Sequence, residues 1–313
     1  MKVLVTGGAG FIGSHLVDRL INEDFEVIVL DNLSSGCVGN VKMHMKEKRF
    51  RFVEGDVRDK HVVEKSLNGV DAVFHLAAIT SVPYSCRNPL VTYAVNVDGT
   101  RNLLDSSVRN GVNRFIYVSS CAVYGEAEYL PIDEKHPLKP VSPYAESKVK
   151  AERLCREFQG KYGLKTTIVR PFNVYGSRMR GGQYGGVIAC FIERLRSDKP
   201  PIIYGDGRQT RDFVHVRDVV NALMLTLNCQ NTVGETFNVA SGAATSIAEL
   251  AELVIKLWGA NGLKPLYLPA REGDIKHSYA DIGKAKAWLG YEPKISLRDG
   301  VAVSFGEPRP FKR

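Results

Sequence analysis

A tyrosine and a lysine four residues apart are the first candidates for chemistry in this chain. The segment "PYAESK" contains Tyr144 and Lys148, and residues four apart on a helix lie on one face. A free phenol, with a pKa of about 10, is a poor base at neutral pH. A nearby ammonium group favours the phenolate and lowers that pKa. The pair is either a proton-transfer device or an ordinary pair of helix neighbours, and its surroundings must decide.

The segments around this pair favour the first interpretation. Ser142 and Pro143 predict the start of a helix, because serine is a good N-cap and proline suits the first turn. Upstream, "VSSCAVYG" places Ser120 just beyond a predicted strand. A serine there can hydrogen-bond a reacting oxygen and orient it, although a solvated loop serine is the plainer alternative.

A glycine-rich turn near the start of the chain predicts a dinucleotide site. Gly7, Gly10 and Gly13 follow the strand "KVLV" and open a helix, and a second strand, "EVIVL", ends at Asp31. The three glycines allow a tight turn, close approach of a pyrophosphate, and close helix–strand packing. A carboxylate at the tip of the second strand can accept both ribose hydroxyls and repels a 2′-phosphate. The pattern therefore predicts NAD rather than NADP.

The rest of the amino-terminal half alternates strands and helices. Strands are predicted in "RFRFVEGDVRD", ending near Asp56, and in "DAVFHLAA", "RFIYVSS" and "KTTIVRPFNVYG"; helices are predicted over 88–111 and 142–163. This alternation predicts an α/β fold, a doubly wound parallel sheet of Rossmann type with a second, smaller α/β substrate domain. We assign 1–170 to the NAD-binding domain, with a return segment near 213–240, and 171–313 to the substrate domain.

Composition limits the classes of function. The chain of 313 residues has a formal net charge of +8, but its basic residues are scattered apart from 42–51, so nucleic-acid binding is not predicted. The six cysteines lack metal-ligand spacing, and no metal site is predicted. Neither a signal peptide nor an apolar run long enough for a membrane span is recognised. We therefore expect a cytoplasmic protein that does not bind membranes. The segment "GEPRPFKR" reads as a tail.

Several ordered motifs resemble those of the extended short-chain dehydrogenase/reductase superfamily, and most closely its UDP-glucose 4-epimerase family. They include "TGGAGFIG", "GDVRD", "HLAA", "NVDGT", "SSCAVYG", "YAESK", "RPFNVYG", "YGDGRQTRDFVHVRD" and "REGDIKHSYADIGKA". The resemblance covers nearly the whole chain. It implies an NAD-dependent UDP-hexose 4-epimerase, an isomerase acting on UDP-glucose and UDP-galactose through a transient 4-keto intermediate.

The same resemblance implies a role for individual residues. The catalytic set falls on Ser120, Tyr144 and Lys148. Cofactor contacts are implied for Gly7, Gly10, Phe11, Ile12, Gly13, Asp31, Asn32, Ser35, Gly36, Asp56, Val57, Ala77, Ala78, Asn96, Ser119, Tyr144, Lys148 and Pro171. Contacts to the UDP-sugar are implied for Thr80, Ser81, Ser120, Tyr144, Asn173, Val187, Arg211, Arg271, Asp274 and Ser278. Bidentate arginines suit a diphosphate, although loop arginines are often plain surface residues.

Some residues differ from the motifs of related enzymes, and these differences argue against particular reactions. Dehydratases of the superfamily carry an acidic pair where this chain has Cys121 and Ala122, and neither residue can act as that acid. The motif typical of decarboxylases that make UDP-xylose is absent. Some 4-epimerases have a bulky tyrosine at the position of Ser278, so serine predicts room for an N-acetyl group and turnover of UDP-GlcNAc and UDP-GalNAc.

The same motifs fit other functions. A UDP-glucuronate 4-epimerase or a 4-reductase would carry the same motifs, and a non-catalytic NAD-sensing module is a distant alternative. The family usually forms homodimers through helices like those at 89–110 and 144–160, which predicts a homodimer here. The apolar spacing of those helices fits packing within one chain equally well.

Overall fold

The fold is given by a computed structural model that describes residues 1–179, 186–260, 262–271 and 273–304. The proposed tail at 306–313 lies outside these residues. The strands are β1 Lys2–Thr6, β2 Glu26–Asp31, β3 Phe50–Glu54, β4 Ala72–His75, β5 Arg114–Val118, β6 Thr166–Pro171, β7 Asn173–Tyr175, β8 Ile202–Tyr204, β9 Thr210–Arg211, β10 Phe213–His215, β11 Thr236–Val239, β12 Thr245–Ser246, β13 Leu266–Leu268 and β14 His277–Ser278.

The helices alternate with these strands over most of the chain. They are α1 Phe11–Asn22, α2 Lys60–Ser66, α3 Val82–Arg87, α4 Pro89–Tyr93, α5 Gly99–Arg109, α6 Pro143–Tyr162, α7 Val187–Arg196, α8 Val216–Asn228, α9 Ile247–Trp258, α10 Gly283–Leu289 and α11 Leu297–Ser304. Short 3-10 turns cover Val38–Asn40, Lys42–His44, Cys121–Tyr124 and Gln230–Thr232. The helix predicted over 88–111 is divided, because a π-helical turn, Ala94–Asp98, separates α4 from α5.

Seven parallel strands form the central sheet in the order β3-β2-β1-β4-β5-β6-β11. The predicted doubly wound α/β fold is confirmed. The chain order reverses between β1 and β4, and in open sheets of this kind ligands bind at the carboxyl ends of the strands beside that switch point. Strand β11, at the edge of the sheet, pairs with β6. It comes from the segment near 213–240 that was predicted to return to the NAD-binding domain.

Two apolar cores cover the faces of this sheet. Successive side chains of a strand point to opposite faces, and in β1 Val3 and Val5 belong to one core whereas Leu4 belongs to the other. Because both faces are buried, these strands are continuously apolar, as is usual for parallel sheets.

A third core lies among the carboxyl-terminal elements. It includes Phe191 of α7, Ile203 of β8, Phe213 of β10 and Val254 of α9. Small sheets accompany it: β7 with β10, β8 with β13, and β9 between β12 and β14. The division of the chain into two domains at residue 170 stays a prediction.

Helix α6 begins and ends at the predicted signals. The Ser142 hydroxyl accepts a hydrogen bond of 3.2 Å from the Ala145 N–H, and Pro143 occupies the first turn. Gly163 ends the helix with φ of +70°, a conformation that glycine adopts readily. Tyr144 and Lys148 therefore lie one turn apart at the amino-terminal end of α6, beside the carboxyl end of β5.

Candidate active site

The glycine-rich turn joins β1 to α1 at the switch point of the sheet. Gly7 has φ of +69°, and a Cβ atom on it would lie 2.8 Å from the Ala77 nitrogen that follows β4. A Cβ on Gly13 would collide with the Gly7 carbonyl oxygen. Gly10 is the N-cap of α1, and Phe11 and Ile12 form its first turn. The backbone therefore presents helix N–H groups with no side chain in front of them, which suits a pyrophosphate.

Asp31 lies at the end of β2 beside this turn. Its carboxylate accepts hydrogen bonds from the Ala9 N–H at 2.9 Å and the Leu33 N–H at 2.8 Å. A Cβ on Gly36 would lie 2.8 Å from one carboxylate oxygen, so glycine lets the chain pass close to Asp31, which is 7% exposed. Burial raises the pKa of Asp31, and the two N–H donors oppose that shift.

The next predicted cofactor residues line the ends of β2 and β3. Asn32 donates to Asp56 at 2.8 Å, and Arg58 forms an ion pair with the same carboxylate at 2.8 Å. The hydrogen bond from Arg58 lowers the pKa of Asp56 to about 2. Val57 is buried against Gly99, whereas Ser35 is exposed.

The segment after β4 is held in place by Asn96. The Asn96 side chain accepts from the Ile79 N–H at 2.8 Å and donates to the Ile79 carbonyl at 3.0 Å and to Ser147 at 2.9 Å. These bonds fix the chain next to Ala78 against α6. Thr80 is exposed, and Ser81 caps α3 by accepting from the Tyr84 N–H at 3.2 Å.

Tyr144, Ser120 and Lys148 lie around the carboxyl end of β5. The Ser120 side chain is near enough to the Tyr144 hydroxyl to oppose the rise of the tyrosine pKa. The ammonium of Lys148 donates a bond of 2.8 Å to the Val118 carbonyl oxygen. Tyr144 and Lys148 are 8% and 3% exposed, so the polar groups of both lie largely out of water.

The electrostatics of the tyrosine differ from the sequence-based expectation. Burial raises the pKa of Tyr144 to about 12, opposed by its bond to Ser120. Burial also lowers the pKa of Lys148 to about 8, opposed by the Glu152 carboxylate. Desolvation of the phenol therefore sets the direction of the Tyr144 pKa shift, in place of the lowering that was expected from Lys148.

Residues predicted to bind the UDP-sugar lie on β7, β9 and β14. Asn173 donates its backbone N–H and side-chain amide to the Asp212 carbonyl, at 3.0 and 3.2 Å. Arg211 forms an ion pair of 2.6 Å with Asp274 and is paired in register with Ser278, which is 7% exposed.

Three further predicted residues, Arg271, Pro171 and Val187, lie on other elements of the fold. The guanidinium carbon of Arg271 lies 3.8 Å from the ring centre of Tyr204, which is a cation–π contact. Pro171 ends β6 next to Val239, and Val187 begins α7. Among the contacts of the described residues, none joins Val187 or Thr80 to the tyrosine, serine and lysine.

The structure also shows functional candidates that sequence reasoning missed. The Asp212 carboxylate accepts from the backbone N–H groups of Ser241, Gly242 and Ala280 at 2.8 to 3.2 Å. It thereby supports the small sheet that carries Arg211. Burial raises the pKa of the Cys121 thiol, next to Ser120, and the charges of Arg211 and Asp212 act on the same group, so the turn after β5 lies near β9. The segment "TRDFVHVRD" is part of a motif quoted for the family resemblance, but its sequence does not indicate which of its residues are buried.

Comparison with known proteins decides the family. Residues 3–240 match the model of the NAD dependent epimerase/dehydratase family. The chain belongs to that family. The predicted family membership is confirmed, and the cofactor of the chain is NAD, which the open glycine turn and the Asp31 strand end fit.

Three similar proteins, one of known sequence and two of known structure, illustrate the match. A putative UDP-glucose 4-epimerase of Methanocaldococcus jannaschii is 42% identical over 301 residues, which is 96% of this chain and 95% of the relative. A solved structure of UDP-glucose 4-epimerase with UDP-glucose from Thermotoga maritima is 40% identical, with a TM-score of 0.92 and 97% of each chain covered. A UDP-N-acetylglucosamine 4-epimerase structure from Methanobrevibacter ruminantium, in complex with UDP-N-acetylmuramic acid, is 36% identical with a TM-score of 0.92, covering 97% of this chain and 96% of that one. Among the helices described, none has the length and apolar character that a membrane crossing requires.

Proposed function

We propose that this protein is an NAD-dependent UDP-sugar 4-epimerase that acts on UDP-glucose and UDP-galactose, and also on UDP-GlcNAc and UDP-GalNAc. One observation carries the proposal: Tyr144, Ser120 and Lys148 lie around the carboxyl end of β5, at the same edge of the sheet as the glycine-rich turn that follows β1. The similarity to UDP-sugar 4-epimerases over 95% or more of both chains supports it.

The chain's own residues divide the reaction between them. NAD⁺, held by the glycine-rich turn and Asp31, would supply the acceptor and then the donor of the hydride at C4 of the sugar. Tyr144 takes the proton from the C4 hydroxyl. It returns the proton after the 4-keto sugar has rotated and presents its opposite face. Ser120 bonds the reacting oxygen and the Tyr144 hydroxyl. Because burial raises the pKa of Tyr144 to about 12, the phenolate that takes the proton needs positive charge nearby, which Lys148 and the nicotinamide ring of bound NAD⁺ would supply.

The nucleotide part of the substrate needs a firm anchor because the sugar must rotate. Arg211 and Arg271 suit the two phosphates. Asn173 lies close to Arg211 because it donates to the carbonyl oxygen of Asp212, the next residue in the chain. The Tyr204 ring beneath Arg271 offers a flat surface next to them. Small or uncharged residues such as Ser278 face the sugar, which leaves the hexose loosely held and free to turn.

We also propose that the protein is a cytoplasmic homodimer whose subunits meet through α4, α5 and α6. Leu90 at 82% and Val91 at 39% exposure present an apolar surface on α4, and α4 packs on α6. A sedimentation measurement that gave a monomer at micromolar concentration would contradict the dimer.

The reaction is tested by proton NMR of the purified protein mixed separately with UDP-galactose, UDP-GalNAc and UDP-glucuronate, without added cofactor. We expect the C4 epimers of the first two to appear, which requires NAD to remain bound through purification. Conversion of UDP-glucuronate alone would favour the glucuronate epimerase. No conversion of any sugar, even with added NAD⁺, would contradict the proposal and favour a reductase or a binding module.

A further inference from the structure

Helix α6 carries a third polar residue in line with Tyr144 and Lys148. Glu152 follows Lys148 by four residues and Tyr144 by eight, so all three lie along one face of the helix. Its side chain is completely buried. Burying a carboxylate is unfavourable unless it is paired and hydrogen-bonded, so a carboxylate at this place depends on the partners that surround it.

The partners of Glu152 come from two neighbouring strands. Arg170 on β6, itself 2% exposed, donates to both carboxylate oxygens, from Nε at 2.8 Å and from Nη2 at 2.6 Å. Such bidentate pairs fix geometry as well as charge. The Ser119 hydroxyl, just after β5, donates a third bond of 2.7 Å to the same carboxylate.

This ion pair holds the turn that contains Ser120 on both sides. Ser119 precedes Ser120 and is bonded to Glu152. Tyr124, at the end of the 3-10 turn that follows Ser120, accepts a bond of 2.9 Å from Arg170 Nη1. Ser120 therefore lies between two anchor points of one buried pair.

The same strand end receives Lys148. The carbonyl oxygen that accepts the Lys148 ammonium belongs to Val118, the residue before Ser119. A displacement of the strand end would move the serine and the acceptor of the lysine together. Misplacement of reacting groups by about 1 Å can reduce a rate by about 100-fold.

We propose that the buried Glu152–Arg170 pair is the positioning element of the active site, which sets the place of the Ser120 turn and of the Lys148 ammonium relative to Tyr144. The inference rests on the proposed function and deepens it. Glu152 and Arg170 touch no reacting atom; they act through Ser119, Tyr124 and Val118.

The pair also acts on Lys148 through charge. The groups facing the ammonium are Glu152 and Cys155 on its own helix, His75 on β4 and the Tyr117 ring on β5, 4.9 Å away. Burial lowers the pKa of Lys148 and Glu152 opposes that shift, while His75 is neutral because burial lowers its pKa to about 3. Removal of the Glu152 charge is therefore expected to lower the pKa of Lys148 further.

Three variants of the full-length, NAD-loaded protein test the proposal. Ser119→Ala removes one bond to the carboxylate and keeps the ion pair. Glu152→Gln removes the charge at nearly constant shape. Arg156→Ala is the matched control, because Arg156 donates to the same carboxylate at 3.2 Å from the side facing Thr236, and is 43% exposed.

The measurements are kcat and KM over pH, UDP affinity by calorimetry, and thermal unfolding. We expect Ser119→Ala and Glu152→Gln to lower kcat about 10- to 100-fold, with KM and UDP affinity changed by less than about threefold. In Glu152→Gln the alkaline fall of kcat should move to lower pH. Arg156→Ala should leave kcat and its pH profile unchanged.

A purely structural role predicts a different pattern. If Ser119→Ala and Glu152→Gln kept kcat while only the unfolding temperature fell, or if kcat and UDP affinity fell together, the proposal would be wrong. Should Glu152→Gln fail to fold, Tyr124→Phe replaces it, since the loss of its hydroxyl releases the other anchor point. Retained kcat in that variant also overturns the proposal.

A readout without turnover separates this inference from the proposed function. A wild-type protein that converts no UDP-sugar contradicts the function alone. The titration of Lys148, followed by NMR on protein labelled with ¹³C-lysine and assigned with Lys148→Arg, then decides the inference. A lower midpoint in Glu152→Gln supports it, and an unchanged midpoint overturns it.

Discussion

Arg211 and Asp274 form an ion pair with 2.6 Å between Nη2 and Oδ1, although both are predicted to contact the substrate. The side chain of Arg211 is 16% exposed and that of Asp274 is 36% exposed, so the pair lies at the edge of the site. Asp274 and the Thr210 carbonyl oxygen, at 2.9 Å from Nη1, therefore hold the guanidinium in one position on β9. A diphosphate that binds Arg211 would meet a guanidinium whose conformation is already fixed.

Replacement of Arg211 by alanine should weaken UDP binding about 10- to 100-fold, since a hydrogen bond to a charged group is worth about 1.5–3 kcal/mol. Calorimetric titration with UDP measures this. Arg208→Ala is the control, because Arg208 lies in the loop before β9 with 89% of its side chain exposed. Equal losses in the two variants would indicate general charge attraction rather than a site at Arg211.

Replacement of Tyr144 by phenylalanine removes the proposed proton carrier and its bond to Ser120. Turnover of UDP-galactose should fall by about 10²- to 10⁴-fold, which is the usual contribution of a positioned acid or base. NAD content and the unfolding temperature should stay near those of the wild type, because the ring keeps its packing. Near-normal turnover, measured by NMR, would show that Tyr144 is not the base.

The pH dependence of turnover should report Lys148. Burial lowers its pKa to about 8, so the ammonium is present below that pH and is lost as pH rises through it. Turnover should therefore fall above pH 8 if the charge supports the phenolate. Turnover that still rises above pH 9 would contradict this assignment.

Stability gives an independent test of the same group. A free lysine has a pKa of about 10.4, so between pH 8 and 10 the unfolded chain binds more protons at Lys148 than the folded one. Unfolding free energy from this group must then increase with pH in that window. Compared with Lys148→Met, the wild-type protein should gain stability from pH 8 to pH 10, and a constant difference in denaturant midpoints would argue against a lowered pKa.

The parts of the site that depend on short stretches of chain were predictable from the sequence. The turn at Gly7, the strand that ends at Asp31 and the Ser142 cap of α6 are each marked by residue types within a few positions, although Gly7 and Asp31 also contact Ala77 and Ala9. Their residue types fix local backbone geometry, so the spacing alone indicates them.

The rest depends on residues that only the fold brings together. Glu152 and Arg170 are 18 positions apart, and nothing local marks them as a pair, although the spacing Tyr144, Lys148, Glu152 places a carboxylate on the face of the candidate pair. The raised pKa of Tyr144 was missed for a related reason. A nearby lysine can be read from the sequence, but the loss of water around the phenol follows from packing against elements distant in the chain.

Replacement of Ser278 by tyrosine tests how the sugar is selected. Ser278 is buried in β14 directly beside Arg211, so a large ring there would enter the space next to the anchored diphosphate. We expect turnover of UDP-GalNAc to fall about tenfold or more relative to UDP-galactose, because a pocket rejects an added group mainly by steric exclusion.

Ser278→Ala is the control and should retain both activities. Loss of both activities in Ser278→Tyr, with UDP affinity also lost, would mean that the ring disturbs β9 rather than the sugar pocket. Equal turnover of the two sugars in that variant would show that Ser278 does not line the space beside C2.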